Sequence, residues 1–188
     1  MKVPNTARLT FRLMNSDDAD LLWQLDQDEE VMRFINNGIK TSKEDLHDVF
    51  LPRLARFTDQ PKGWGLWHVS TLDTAEFLGW VLVRPMDFFT DKPKFNDLEL
   101  GWRFFKKSWG KGYATEAATA ITTALINNIS ASNPITFFSA IAIKENYASM
   151  GIMKKLGMGF IKEFFYEDPL GSCDAVLYRM KVNNRNFG

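Results

Sequence analysis

Hydrophobic and polar residues alternate from position 8 to 13, with Leu9, Phe11 and Leu13 on one face and Thr10 and Arg12 on the other, the signature of a half-buried strand. Ser16 then opens a helix. Asp17 and Asp18 suit the positive end of its dipole, Leu21, Leu22 and Leu25 give it an apolar side, and a short second piece follows around Val31 to Ile35. Thr41-x-x-Glu44 reads as a capping box before a helix with Leu46, Val49, Phe50, Leu54 and Phe57 at helical spacing, stopped near Pro61.

The periodicity then switches. Trp64 to Thr71 and Phe77 to Arg84 read as two strands joined across Asp73-Thr74, and the unbroken run Leu78-Gly79-Trp80-Val81-Leu82-Val83 predicts a central strand buried on both faces and ended by Pro85. Phe88, Phe89 and Phe95 make the loop from Met86 to Asp97 unusually apolar, so it either lines a substrate pocket or subunit contact or folds onto its own core. A fourth strand, Leu98 to Phe105, leads to a helix from Tyr113 to about Asn128 with an apolar stripe of Ala114, Ala117 or Ala118, Ile121, Leu125 and Ile129. After a fifth strand, Ile135 to Ile143, and a helix from about Asn146 to Leu156, Phe160 to Tyr166 and Ala175 to Val182 form a hairpin around Asp168-Pro169-Leu170-Gly171. Strands, then strand-helix-strand-helix, then a hairpin predict a mixed α/β sheet flanked by helices, in one domain over residues 1–188.

Composition narrows the function classes. The 23 basic and 23 acidic residues of the 188 balance, so no net field favours nucleic acid or an anionic membrane. No apolar run approaches the roughly 20 residues of a spanning helix, the N-terminal stretch lacks the apolar core of a signal peptide, and Cys173 stands alone, so a cytoplasmic location is expected. Two histidines and one cysteine without ligand spacing predict no metal site.

The junction Lys107-Ser108-Trp109-Gly110-Lys111-Gly112-Tyr113-Ala114-Thr115-Glu116, between the fourth strand and its helix, carries the most chemical information. Gly110 and Gly112 permit a tight turn and a close approach of backbone to ligand, while the first helical amides and the positive dipole end face the same point. Phosphate is the expected guest. A Walker-type loop is excluded, because Phe105 and Gly112 occupy the positions that need glycine and Ser or Thr. The dinucleotide fingerprint also fails, with Thr115 in place of a third glycine and no acidic residue ~20 positions on.

The spacing Lys107-x-x-Gly110-x-Gly112 resembles the pyrophosphate loop of the GNAT superfamily of N-acetyltransferases, Arg/Gln-x-x-Gly-x-Gly/Ala, which binds the diphosphate of acetyl-coenzyme A. Lysine departs from Arg or Gln but remains cationic. The longer string Glu99-Leu100-Gly101-Trp102 with Trp109-Gly110-Lys111-Gly112-Tyr113-Ala114-Thr115-Glu116-Ala117 resembles the subgroup that acetylates N-terminal amines of ribosomal proteins. Asn146-x-x-Ser149 followed by Lys154-Lys155-Leu156-Gly157-Met158 is similar to that subgroup's second motif, and the likeness extends from about residue 7 to about residue 182. It implies a mostly antiparallel sheet of about seven strands flanked by about four helices, acetyl-coenzyme A as cosubstrate without a metal, an amine acceptor such as a protein N-terminus or a small amine, and a homodimer as a candidate assembly.

The resemblance also distributes roles. Lys107, Trp109, Gly110, Lys111, Gly112, Tyr113 and Ala114 would form the coenzyme loop, a backbone amide at Phe104 or Phe105 would meet the acetyl carbonyl, and Asn146 and Ser149 would meet the pantetheine arm and the sulfur. For the general base, Glu99 alternates away from Leu98, Leu100, Trp102 and Phe104 with Gly101 leaving room beside it; the alternatives are a cross-strand partner role for a residue such as Arg103, with Glu163 or Asp97 as the base through water. The late tyrosine that donates a proton in many relatives is Met153 here, so Ser149 is the substitute donor unless it merely caps its helix with Asn146. Absence of that tyrosine also admits a coenzyme-binding module without catalysis. His68, His47, Cys173 and Glu116 are read as structural or solvent-facing.

Overall fold

The computed structural model describes residues 1–35, 38–130, 132–168 and 171–182. Among them, seven strands form one sheet: β1 (Leu9–Leu13), β2 (Gly65–Thr71), β3 (Phe77–Met86), β4 (Lys94–Phe104), β5 (Phe137–Ile143), β6 (Gly159–Asp168) and β7 (Gly171–Lys181), in the order β1-β2-β3-β4-β5-β7-β6. Every neighbouring pair is antiparallel except β4 and β5, which run parallel. The helices are α1 (Ala19–Leu25), α2 (Glu29–Met32), α3 (Lys43–Asp45), α4 (Leu51–Phe57), α5 (Tyr113–Asn127) and α6 (Tyr147–Lys155).

Alternation on the central strands divides these helices between two faces. Val81 and Val83 of β3 with Leu98 and Leu100 of β4 join Ala117, Ile121 and Leu125 of α5 and Met153 of α6 in the larger core. Trp80 and Leu82 point the other way, into a cluster with Leu22 and Leu25 of α1, Val31 of α2 and Leu54 and Phe57 of α4. The continuous apolar run in β3 is therefore buried on both sides, and a fully buried side chain such as Phe138 contributes about 2–3 kcal/mol of transfer free energy.

Several boundaries differ from the periodicity. β3 passes through Pro85, which pairs with Leu98, and the register breaks only between Pro85 and Met86. Proline lacks an N–H, so the strand continues across it with one bond fewer before becoming irregular. β4 begins at Lys94, because Lys94 pairs with Met86; the loop shortens accordingly, and Phe88 and Phe89 pack edge-on against Phe57, which is the own-core alternative. The helix over residues 43–57 contains a π segment, Leu46–Phe50, just before Pro52. That widened turn accommodates a residue that has no N–H for the preceding turn and whose ring crowds its carbonyl. Its cap is Ser42, whose hydroxyl oxygen accepts the Asp45 N–H at 2.9 Å, and not Thr41, whose hydroxyl donates to Asp26 at 2.6 Å. The expected hairpin joins β6 to β7 with Asp168 opposite Gly171, but Pro169 and Leu170 lie outside the described residues.

The parallel pair decides where a ligand can enter. β4 and β5 are in register only over Asp97–Glu99 and Phe137–Ser139, while β5 stays paired with β7 as far as Ile143. Beyond Glu99 and Ser139 the two strands diverge, opening a cleft at their carboxyl ends from which α5 and α6 both start. A buried network holds the vertex: the Ser139 hydroxyl donates to Asp97 at 2.7 Å, and Arg179 donates to Ser139 at 2.9 Å and pairs with Asp97 at 2.8 Å.

Candidate active site

At one end of the cleft lies the glycine junction. Gly110 (φ +72°) and Gly112 (φ +79°) both adopt the left-handed conformation that side chains resist, and Gly112 is the N-cap of α5. No side chain caps this helix, and its first internal bond runs from Glu116 N–H to the Gly112 carbonyl. The amides of residues 113–115 are thereby left to a ligand at the positive dipole end. These features fit a diphosphate. A groove of about 270 Å³ runs from Trp109, Gly110, Gly112, Tyr113, Ala114 and Thr115 to Asn146, Ser149, Ile152 and Lys155 on the facing helix.

The structure separates the predicted coenzyme residues. Trp109, Gly110, Gly112, Tyr113, Ala114, Asn146, Ser149 and Phe104 line the groove. Phe105, Lys107 and Lys111 do not belong to its lining. Lys107 forms an ion pair with Glu76, and the Lys111 carbonyl accepts from Arg8 at 3.1 Å. Phe105 N–H donates to the Leu78 carbonyl at 3.0 Å, so it is engaged within the sheet. Strand alternation turns the N–H groups of Trp102 and Phe104 the opposite way, toward the cleft. The Trp109 indole N–H donates to the Phe104 carbonyl at 2.8 Å and ties the loop to the end of β4.

On the facing helix, Asn146 Oδ1 accepts the Ser149 backbone N–H at 3.0 Å, so the cap uses the main chain of Ser149 and leaves its hydroxyl out. That hydroxyl oxygen accepts from Trp102 Nε1 at 3.1 Å, which frees the hydroxyl hydrogen for another partner. Met153 is fully buried in the larger core, whereas Ile152 and Ser149 face the groove. Met153 therefore presents no proton donor to the groove, and on α6 the hydroxyl that lines it is that of Ser149.

A second cavity, of about 440 Å³, lies on the α1–α4 face of the sheet. It shares Phe34, Ile35 and Arg103 with the groove, so the two are neighbours across these side chains. Glu99 lines it and accepts from Arg84 Nε at 2.7 Å; the two side chains are 12% and 15% exposed. The partner is Arg84 because it stands directly opposite on β3. Arg103, four residues along the same strand and roughly 13 Å away at strand spacing, pairs instead with Asp26, which also accepts from Thr41. Neither alternative carboxylate reaches this cavity. Asp97 is locked beneath the vertex, where burial pushes its carboxyl up against the opposing pull of Ser139 and Arg179, and Glu163 is exposed beside Lys144.

Sequence reasoning missed the Asp26–Arg103 pair, Arg84 and the aromatic wall of Phe50, Phe57 and Trp80, all of which line this cavity or border it from distant segments. Cys173 also lines it, and burial with Asp174 nearby pushes the thiol up, toward the protonated form. His68 lies outside both cavities, against the Phe77 ring at 4.6 Å, and burial with Arg12 nearby lowers it to about 4. His47 is exposed. Among the described residues no cluster of three or more His, Cys, Asp or Glu is arranged to hold a metal ion, and no helix is long and apolar enough to cross a membrane.

Comparison with known proteins agrees with this geometry. The family model described as an acetyltransferase (GNAT) domain matches residues 8–159. The FsC-acetyl coenzyme A-N(2)-transacetylase of Aspergillus fumigatus is 28% identical over 170 residues, covering 88% of this chain and 69% of that protein. Among solved structures, a GNAT-family acetyltransferase from Bacillus anthracis superposes with a TM-score of 0.73 at 22% identity, over 96% of this chain and 98% of that one. RimL, a ribosomal L7/L12 alpha-N-protein acetyltransferase in complex with coenzyme A, gives a TM-score of 0.72 at 13% identity, over 98% and 99%.

Proposed function

Because the chain belongs to the GNAT acetyltransferase family and is an acetyl-coenzyme A-dependent N-acetyltransferase, we propose that its acceptor amine occupies the cavity beneath Arg84 and Glu99 and reaches the thioester through the cleft between β4 and β5. The adjacency of the two cavities, which share Arg103, Phe34 and Ile35 in their lining, is the observation that carries this reading. Acetyl-coenzyme A supplies an activated acyl carbon when bound. Gly110, Gly112 and the first amides of α5 hold its diphosphate, and Asn146 with the groove wall holds the pantetheine arm. Phe104 N–H donates to the acetyl carbonyl oxygen, where negative charge develops as the amine attacks. Glu99, fixed by Arg84, accepts the amine proton directly or through one water, and the Ser149 hydroxyl relays a proton from solvent to the departing thiolate, so that no alkoxide is left.

The acceptor is proposed to be an N-terminal amine of a ribosomal or other protein, the activity named for RimL, whose fold this chain shares. A small amine is the second reading. It is supported by a cavity volume within the range of small-molecule sites and by the transacetylase relative. A thiol-release assay with N-terminal peptides, amino-acid amides and polyamines separates the two. Turnover of peptides above all small amines supports the first, turnover confined to small amines supports the second, and coenzyme binding without thiol release from any amine contradicts both. A cytoplasmic location and a homodimer are also proposed, to be checked by fractionation and by light scattering.

A further inference from the structure

Lys107, the cation that the loop spacing assigns to phosphate, is bound to Glu76, and a different cation lies beside the loop. Arg8, from the segment just before β1, lies against the glycine loop. Its Nε donates to Glu116 at 2.8 Å, Nη2 pairs with the same oxygen, and Nη1 donates to the Lys111 carbonyl at 3.1 Å. Its guanidinium stacks 4.6 Å from the centre of the Tyr113 ring and lies 3.7 Å from where a Cβ on Gly112 would stand. The Thr6 hydroxyl donates to the other Glu116 oxygen at 2.6 Å.

Glu116 is the acidic residue in the first turn of α5. A carboxylate there favours the empty helix, since it complements the dipole, but opposes an anionic ligand at the same helix end. Partial burial pushes Glu116 up, yet the hydrogen bonds from Thr6 and Arg8 outweigh it and hold the carboxyl below its ordinary range, so the negative charge persists at neutral pH. Without a counter-charge it would repel an anion received at the first turn of α5.

We propose that Arg8 is a positioning residue for the coenzyme: it cancels the charge of Glu116 and thereby keeps the glycine loop receptive to the diphosphate. The inference rests on the loop being the coenzyme site. Arg8 acts through charge at Glu116, and the fork to the Lys111 carbonyl is secondary.

Calorimetric titration of acetyl-coenzyme A at low ionic strength tests this, with the thermal midpoint of each ligand-free protein as a check of folding. Arg8→Met should raise Kd on the order of tenfold, an effect that shrinks as salt rises. Arg8→Lys, which keeps the charge and loses the fork, and Arg8→Met/Glu116→Gln, which removes both charges, should each bind within about threefold of wild type. Lasting weakness in both of those variants would overturn the proposal, because it would mean that Arg8 either touches the diphosphate itself or simply holds the loop by its fork. Wild-type affinity in Arg8→Met would overturn it as well. Failure of the folded wild type to bind the coenzyme would instead remove the loop reading on which the inference stands.

Discussion

Replacing Glu99 by Gln separates its structural contribution from its chemical one. The Arg84–Glu99 pair is largely buried, at 15% and 12% exposure, and its contact is 2.7 Å. Removing one partner of a buried pair costs about 3–5 kcal/mol in general; the residual exposure and the neighbouring cavity reduce that here to about 2–3 kcal/mol. For a chain of this length, about 2–4 °C of thermal midpoint accompanies each kcal/mol, so Glu99→Gln should melt about 4–12 °C below wild type. Adding Arg84→Met should recover about 1–2 kcal/mol, because a largely buried guanidinium that has lost its carboxylate counter-charge is then gone. Turnover measured well below the midpoint reads the chemistry alone. Loss of a general base lowers kcat by about 10²-fold or more, and the double variant should not regain it. Full turnover of Glu99→Gln from neutral to alkaline pH would exclude Glu99 as the base, and a melting change corresponding to less than about 0.5 kcal/mol would refute the buried-pair reasoning.

Two further substitutions probe the groove and the opposite end of the sheet. Ser149→Ala leaves the Asn146 cap intact, since that cap uses only the backbone N–H, so its melting midpoint should stay within a few degrees of wild type while kcat falls at least tenfold; unchanged turnover would leave the hydroxyl without a role. His68 is held neutral at about 4 by burial, below its unfolded value of 6.5, so the unfolded chain binds the extra proton between those values. Its contribution is therefore complete above pH 6.5 and is lost as pH falls through 4, a total of about 3 kcal/mol, and urea unfolding of His68→Gln should show a shallower decline over that window. Equal slopes for the two proteins would contradict it.

The sheet and the helix on each side of the cleft were legible because their patterns are local. Alternation in β1, the double-sided apolar run in β3 and the helical stripe from Ala114 to Ile129 each report the burial of their own neighbours. The glycine loop was legible for the same reason, since its conformation is set within a few residues by Gly110 and Gly112. Partners were not. Glu99 meets Arg84 through an antiparallel register, Arg103 meets Asp26 from a segment 77 residues away, and Arg8 reaches Glu116 over 108 residues. No periodicity encodes such pairings. Lys107 illustrates the limit most clearly, because its spacing is that of a phosphate ligand while its ammonium is engaged by Glu76, across 31 residues. Orientation on α6 was equally hidden: a tyrosine-equivalent position at Met153 turns into the core, and only the packing of the helix against β5 and α5 reveals it.

The central claim is that the junction at Gly110 and Gly112 receives the diphosphate of acetyl-coenzyme A. Calorimetry of the wild type against Gly112→Trp addresses it most directly, since a side chain at this φ of +79° both strains the loop and fills the space before the first amides of α5. Saturable one-to-one binding by the wild type, abolished in a Gly112→Trp protein that still melts cooperatively, is the predicted result. A folded wild type that does not bind, or a Gly112→Trp variant that binds equally well, would contradict the assignment of the site.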